Sequence, residues 1–218
     1  MTWSLTHALV MVILTYVSWV TGEPRVAAFG GAASLAVFVF THRVRWTPDG
    51  RFGLANTVTT LRVALVALLG ALPDAGVPSA CLVLGVFLLD GLDGRLARRG
   101  GTTSSFGAAY DMEADALFVL VAGLRLGIAG RLGAWILVQG LIRYAYVVAI
   151  SLLPTARGDE PRSRAARYVF AGVVLSLAAS FWPIPAHCYL AAVMTLLLVV
   201  SFARSAFWSF GPDVREVA

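Results

Sequence analysis

Lysine is absent from this 218-residue chain, and all 17 basic residues are arginine. That bias reads as nucleotide composition of the source and carries no mechanism. Charge is scarce altogether, 13% of residues against roughly 25% in a water-soluble domain, which excludes an ordinary soluble fold. Cysteine occurs twice, at Cys81 and Cys188. That excludes a disulfide framework, and the two are expected as buried free thiols, a bridge between them being the alternative. His7, His42 and His187 are scattered and have no zinc spacing with either cysteine. No long polar linker, internal repeat or low-complexity tract divides the chain, so one domain is expected. The first 20 residues, MTWSLTHALVMVILTYVSWV, lack the basic start and small-residue cleavage site of a signal peptide and read as a membrane helix.

What is present is apolar sequence: 59% of residues are hydrophobic, with a mean hydropathy of +0.80. A bilayer core about 30 Å thick takes about 20 apolar residues per helix. Runs of that kind fall at roughly 4–20, 26–41, 56–72, 79–98, 106–128, 132–153, 167–183 and 188–208. Glycine and proline punctuate them at Gly22 and Pro24, Pro73 to Pro78, Gly100 and Gly101, Pro154 to Pro161, and Pro183 with Pro185. The expected fold is therefore all-α, a polytopic membrane protein of eight helices.

Arginine bias orients it. Arg43, Arg45, Arg51, Arg95, Arg98, Arg99, Arg157, Arg162, Arg164, Arg167, Arg204 and Arg215 fall on one side. Only Arg25, Arg125 and Arg131 fall on the other, with Arg62 and Arg143 inside spans. Both termini and the 99–105 loop are thus expected in the cytoplasm. The net charge of +5 fits anionic lipid headgroups rather than nucleic acid, because the arginines sit between apolar runs and form no polar face. Segment 41–52 reads equally as a polar loop or as an interfacial stretch anchored by Trp46 and Phe52.

Against this apolar background, residues 90–115, DGLDGRLARRGGTTSSFGAAYDMEAD, hold five of the chain's 12 acidic residues. Asp90 lies 11 residues past Ser79, about 16 Å of helix, so it is submerged below the membrane surface. Asp90 and Asp93 share one helix face, and Asp111 and Asp115 share a face of the next. Glu113 is turned away from them by about 200°. Packed antiparallel, the two helices bring four aspartates into one pocket. Four carboxylates cannot all ionise together in a low dielectric without cations, and their oxygens suit magnesium, manganese or calcium. Gly91, Gly94, Ala97 and Gly107 leave room beside the metals, and Arg98 is placed to reach a phosphate oxygen. The set points to phosphoryl-group chemistry. A carboxylate-based cation transporter is the alternative from another class, although it would spread its acids over repeated halves.

At these residues the sequence resembles the CDP-alcohol phosphotransferase (CDP-alcohol phosphatidyltransferase) family, whose signature reads D-x2-D-G-x2-A-R-x8-G-x3-D-x3-D. Asp90, Asp93, Gly94, Ala97, Arg98, Gly107, Asp111 and Asp115 meet every position of it. "LANTVTTLR" at 54–62 is similar to the family's P-N-x-x-T-x-x-R, with Asn56, Thr59 and Arg62 matching and Ala55 in place of proline. The resemblance implies a six-helix catalytic core over 53–209, preceded by a two-helix extension with its connecting segment over 1–52 and followed by a cytoplasmic tail over 210–218. It implies that Asp90, Asp93, Asp111 and Asp115 bind two divalent ions, Mg2+ or Mn2+, with Asp115 also the general base on the acceptor hydroxyl. Asn56, Thr59, Gly94, Ala97, Arg98 and Gly107 would line the nucleotide site.

The activity implied is transfer of a phosphatidyl group from a CDP-linked donor, CDP-diacylglycerol first, to an alcohol, with release of CMP. A CDP-headgroup donor with diacylglycerol as acceptor is the variant reading. For the acceptor, Arg62, Arg143 and Arg167 are candidate ligands. An arginine deep in a membrane helix needs an anion, which for Arg143 is an acceptor phosphate, as in phosphatidylglycerophosphate synthesis, or Glu113. The expected partners are the CDP-lipid, the alcohol and membrane lipid, with a homodimer left open. The expected location is the inner membrane, with the site facing the cytoplasm.

Overall fold

The computed structural model describes residues 2–43, 46–47, 49–99, 104–153, 164–182 and 184–210, without the side chains of residues 2, 92–99 and 164. These residues fold into eight α-helices: α1 (Thr2–Thr21), α2 (Pro24–Thr41), α3 (Gly53–Ala71), α4 (Val77–Arg99), α5 (Ser105–Ile128), α6 (Val138–Leu152), α7 (Arg164–Ser180) and α8 (His187–Phe210). No strand occurs among the described residues. Helices satisfy their own backbone hydrogen bonds, as a chain in lipid must. The breaks follow local chemistry. Gly22 ends α1 at a φ of 70°, Pro24 opens α2, and Gly130 follows α5 at a φ of 69°.

Five stretches are long and apolar enough to cross a membrane: α1, α2, α3, α8, and α6 together with a 3-10 turn at Ala134–Leu137. That turn differs from the continuous helix expected over 132–153. The chain leaves Gly133 in extended backbone and winds tightly before α6 begins. Shorter apolar runs, Val77–Gly91 and Ala165–Ser180, belong to α4 and α7. The protein is an all-helical polytopic membrane protein.

Helix α5 is the axis of the molecule. Every residue from Ala116 to Leu126 is buried, and α1, α2, α3, α6 and α7 all pack against it. A mostly apolar stretch buried all round sits inside such a bundle. Small residues let its neighbours approach: a Cβ on Gly140 of α6 would lie 2.5 Å from the Leu120 Cα. Conversely, Ile13, Tyr16, Phe40, Leu88, Leu196 and Phe207 point outward. In water such a surface would be a liability, and in a bilayer it is the lipid contact.

One expectation needs correcting. Cys81 and Cys188 are free, as expected, but exposed rather than buried. Burial statistics come from proteins in water, whereas a thiol on a membrane helix is just as well hidden by lipid. Trp46 and Phe52, the anchors of the interfacial reading of segment 41–52, are half-buried. They pack edge to face, with ring centroids 4.9 Å apart, and both lie against the core.

Candidate active site

The site forms where the N-terminal half of α3, the C-terminal half of α4 and the first turns of α5 meet. Asp90 on α4 and Asp111 and Asp115 on α5 each bring a carboxylate oxygen to within 4.8 Å of the other two. At the centre is Arg62 of α3, 1% exposed. Its Nη1 donates to Asp111 Oδ1 at 2.6 Å and lies 3.2 Å from Asp90 Oδ1, while Nη2 donates to Asp115 Oδ1. Asp111 is the most open of the three, its side chain 40% exposed. A half-open nest of hard oxygen donors on rigid helices could hold a divalent ion.

Asp93, Gly94, Ala97 and Arg98 continue α4 beyond Asp90, but their side chains lie outside the described residues. One turn of helix separates Asp90 from Asp93, so their backbone positions share a face. Arg157, Arg162 and the 100–103 connection lie outside the described residues as well.

The remaining candidates are placed as follows. Asn56 and Thr59 are buried on α3, each bonded to backbone: Asn56 Nδ2 donates to Phe52 O at 2.6 Å, and Thr59 Oγ1 to Ala55 O at 3.2 Å. Gly107 sits opposite Asn56, and a Cβ there would lie 3.1 Å from Asn56 Oδ1. Arg167, on the first turn of α7, is exposed and close enough to Asp90 for their charges to interact. Arg143 is bound elsewhere. Its Nη2 donates to Glu113 Oε1 at 3.0 Å on the far side of α5, the pairing given above as the alternative to an acceptor phosphate. Arg62, grouped with it as an acceptor ligand, is instead engaged with the aspartates.

Several supports of the site escaped sequence reading. Ser104 caps α5, accepting from Gly107 N–H at 2.9 Å, and its hydroxyl donates to Trp46 O at 2.7 Å. A serine just ahead of an apolar run is a recognisable N-cap signal, but its tie to the α2–α3 connection is not. Tyr110 pairs its hydroxyl with Thr60 Oγ1 at 3.1 Å, fastening α5 to α3 one residue before Asp111. Neither residue belongs to a motif.

Comparison with known proteins then decides the family. The model of the CDP-alcohol phosphatidyltransferase family matches residues 52–210, nearly three quarters of the chain. The chain belongs to the CDP-alcohol phosphatidyltransferase family. It is 29% identical over 155 residues to a "Probable phosphatidylglycerophosphate synthase" of Mycobacterium tuberculosis, covering 67% of this chain and 74% of that one. It is also 29% identical over 147 residues to a "CDP-diacylglycerol--serine O-phosphatidyltransferase" of Helicobacter pylori, covering 65% of this chain and 55% of that one. No solved structure matches at comparable significance. Membership makes the chain a membrane-bound transferase and sets the cation-transporter reading aside. The cluster of Asp90, Asp111 and Asp115 falls inside the matched region of this CDP-alcohol phosphatidyltransferase.

Proposed function

We propose that the protein transfers the phosphatidyl group of CDP-diacylglycerol to a small phosphorylated polyol, of which glycerol 3-phosphate is the simplest, with release of CMP. The observation that carries the reading is the convergence of Asp90, Asp111 and Asp115 from two helices around one buried arginine. Asp90, Asp93, Asp111 and Asp115 would hold two divalent ions, magnesium or manganese, which when bound neutralise charge on the donor pyrophosphate. Gly107, with Asn56 behind it, together with Thr59, Gly94, Ala97 and Arg98, would face the nucleotide.

Asp115 would take the proton of the acceptor hydroxyl. The acceptor oxygen forms a bond to the β-phosphorus as the bond from that phosphorus to the CMP oxygen breaks, and CMP leaves with the electron pair. Support for a phosphorylated acceptor comes from Arg167. It is an exposed cation within electrostatic reach of Asp90, and beside a strongly negative site an anionic substrate needs such compensation. The Mycobacterium tuberculosis relative is named for the same class of product.

The test is CMP release by the purified full chain in detergent, with CDP-diacylglycerol and a panel of glycerol 3-phosphate, serine, inositol phosphate and diacylglycerol. Mass spectrometry identifies the product. Activity is expected with glycerol 3-phosphate, to vanish in excess EDTA and to return with magnesium or manganese. Full activity in EDTA would sink the metal assignment, and exclusive use of serine would sink the acceptor.

On this reading the site would face the cytoplasm of a cell with an inner membrane, where CDP-lipid and soluble acceptors meet, and residues 1–52 would form an extension of the core. In a background lacking Cys81 and Cys188, a cysteine at Asp49 should react only with reagents that enter the cytoplasm. One at Asp74, between α3 and α4, should be labelled from outside intact cells. The reverse pattern would invert the topology.

A further inference from the structure

A metal site needs its carboxylates held together while no metal is there. Asp90, Asp111 and Asp115 lie on two helices with oxygens within 4.8 Å, a spacing at which three bare charges repel strongly away from water. A positive charge among them relieves that repulsion, and Arg62 supplies one. Its guanidinium is planar, always charged and carries five donors in a fixed fork. From α3 it reaches both partner helices, and the contacts run to the Oδ1 oxygen of each aspartate. A lysine ammonium, being a point charge on a flexible stem, would not span the three carboxylates in the same way.

We propose that Arg62 is the resident cation of the metal site: it holds Asp90, Asp111 and Asp115 in register while the divalent ions are absent, by one oxygen of each, and presents their second oxygens for loading. This rests on the metal-site reading given above and goes beyond it. It makes Arg62 a positioning residue rather than an acceptor ligand. It also explains why α3, which carries no carboxylate, packs into the junction of α4 and α5. With the arginine in place the metal-free site is already assembled, so loading need not pull α4 and α5 together. Without it, that work falls chiefly to the metal ions.

The consequence is a link between Arg62 and the dependence of stability on metal, which thermal unfolding of the detergent-solubilised full chain reads directly. Wild type should unfold at nearly the same temperature in EDTA and in magnesium, with a modest gain from binding. Arg62→Met should unfold roughly 6–20 °C lower than wild type in EDTA, as expected for a buried charge cluster stripped of a partner, and recover much of the loss in magnesium or manganese. Asp90→Asn added to Arg62→Met should raise the EDTA value again, because one repelling charge is gone.

An equal loss with and without metal, or no relief from Asp90→Asn, would overturn the proposal and make Arg62 a packing element. If Arg62→Met does not fold, Arg62→Lys takes its place: metal should stabilise it more than wild type, and an unchanged metal response would overturn the proposal. A wild type whose stability and manganese binding, read by electron paramagnetic resonance, respond to no divalent ion would remove the metal-site reading itself. That outcome is distinct from a wild type that binds manganese while Arg62→Met shows no enhanced response, which would defeat the Arg62 proposal alone.

Discussion

Replacing Asp115 with asparagine should lower turnover by at least about a hundredfold while leaving much of the CDP-diacylglycerol affinity in place. The asymmetry comes from what the substitution keeps. Asparagine retains the shape and one oxygen that still accepts a hydrogen bond, so Arg62 Nη2 keeps its partner and α5 its position. What disappears is the basic carboxylate that would receive the acceptor proton. Asp115 lies one turn deeper along α5 than Asp111, and its side chain is about half as exposed, 22% against 40%. That position suits a base that must meet a hydroxyl away from bulk water, whereas Asp111 stands nearer the opening. Asp90→Asn should behave differently, weakening manganese binding and donor binding together. Steady-state kinetics paired with CDP-lipid binding separates the two patterns. Normal turnover by Asp115→Asn would assign the base elsewhere.

The helices were legible because each is a run of apolar residues ended by glycine or proline, and membrane length restricts where such runs begin and stop. The aspartate pairs were legible for a similar reason: spacings of three and four residues place side chains on one face whatever the surroundings. Contacts between elements distant in sequence were harder. Arg62 matched a motif, but nothing in the spacing of α3 reveals that its side chain ends among carboxylates 28, 49 and 53 residues further along. Trp46 has the composition of an interfacial anchor. Its indole N–H instead donates to Val39 O at 2.9 Å, and its carbonyl receives Ser104, which joins the α2–α3 connection to the start of α5. Periodicity carries no information about such joints, since they depend on how connections fold back over helix ends. For Glu113, the angle on α5 correctly turned it from the aspartates, and what it met there required the packing of α6.

That meeting sets up the largest stability effect expected of a single substitution outside the aspartate cluster. Glu113 is 3% exposed, and its ion-pair partner at 3.0 Å, between α5 and α6, is the largely buried Arg143. His7 of α1 and Tyr144 lie within electrostatic reach of the pair, and their rings meet edge to face with centroids 5.7 Å apart. Removing one member of a buried pair strands the other charge, at a cost of about 3–5 kcal/mol, or roughly 6–20 °C in unfolding temperature for a chain of this size. Arg143→Ala should therefore unfold early. Glu113→Leu alone should be similarly damaging because it strands the arginine. The double variant Arg143→Met/Glu113→Leu should recover most of the loss, since a well-packed apolar pair can match a buried ionic one. Glu113 sits between Asp111 and Asp115 on α5, so the single variants should also weaken manganese binding by allowing that helix to rotate, and the double variant should restore it. An acceptor phosphate on Arg143 predicts a different outcome: a stable Arg143→Ala protein whose Michaelis constant for glycerol 3-phosphate alone rises by about 10- to 150-fold. The unfolding temperatures and the acceptor kinetics of the same three proteins decide between them, and the largely buried contact with Glu113 favours the loss of stability.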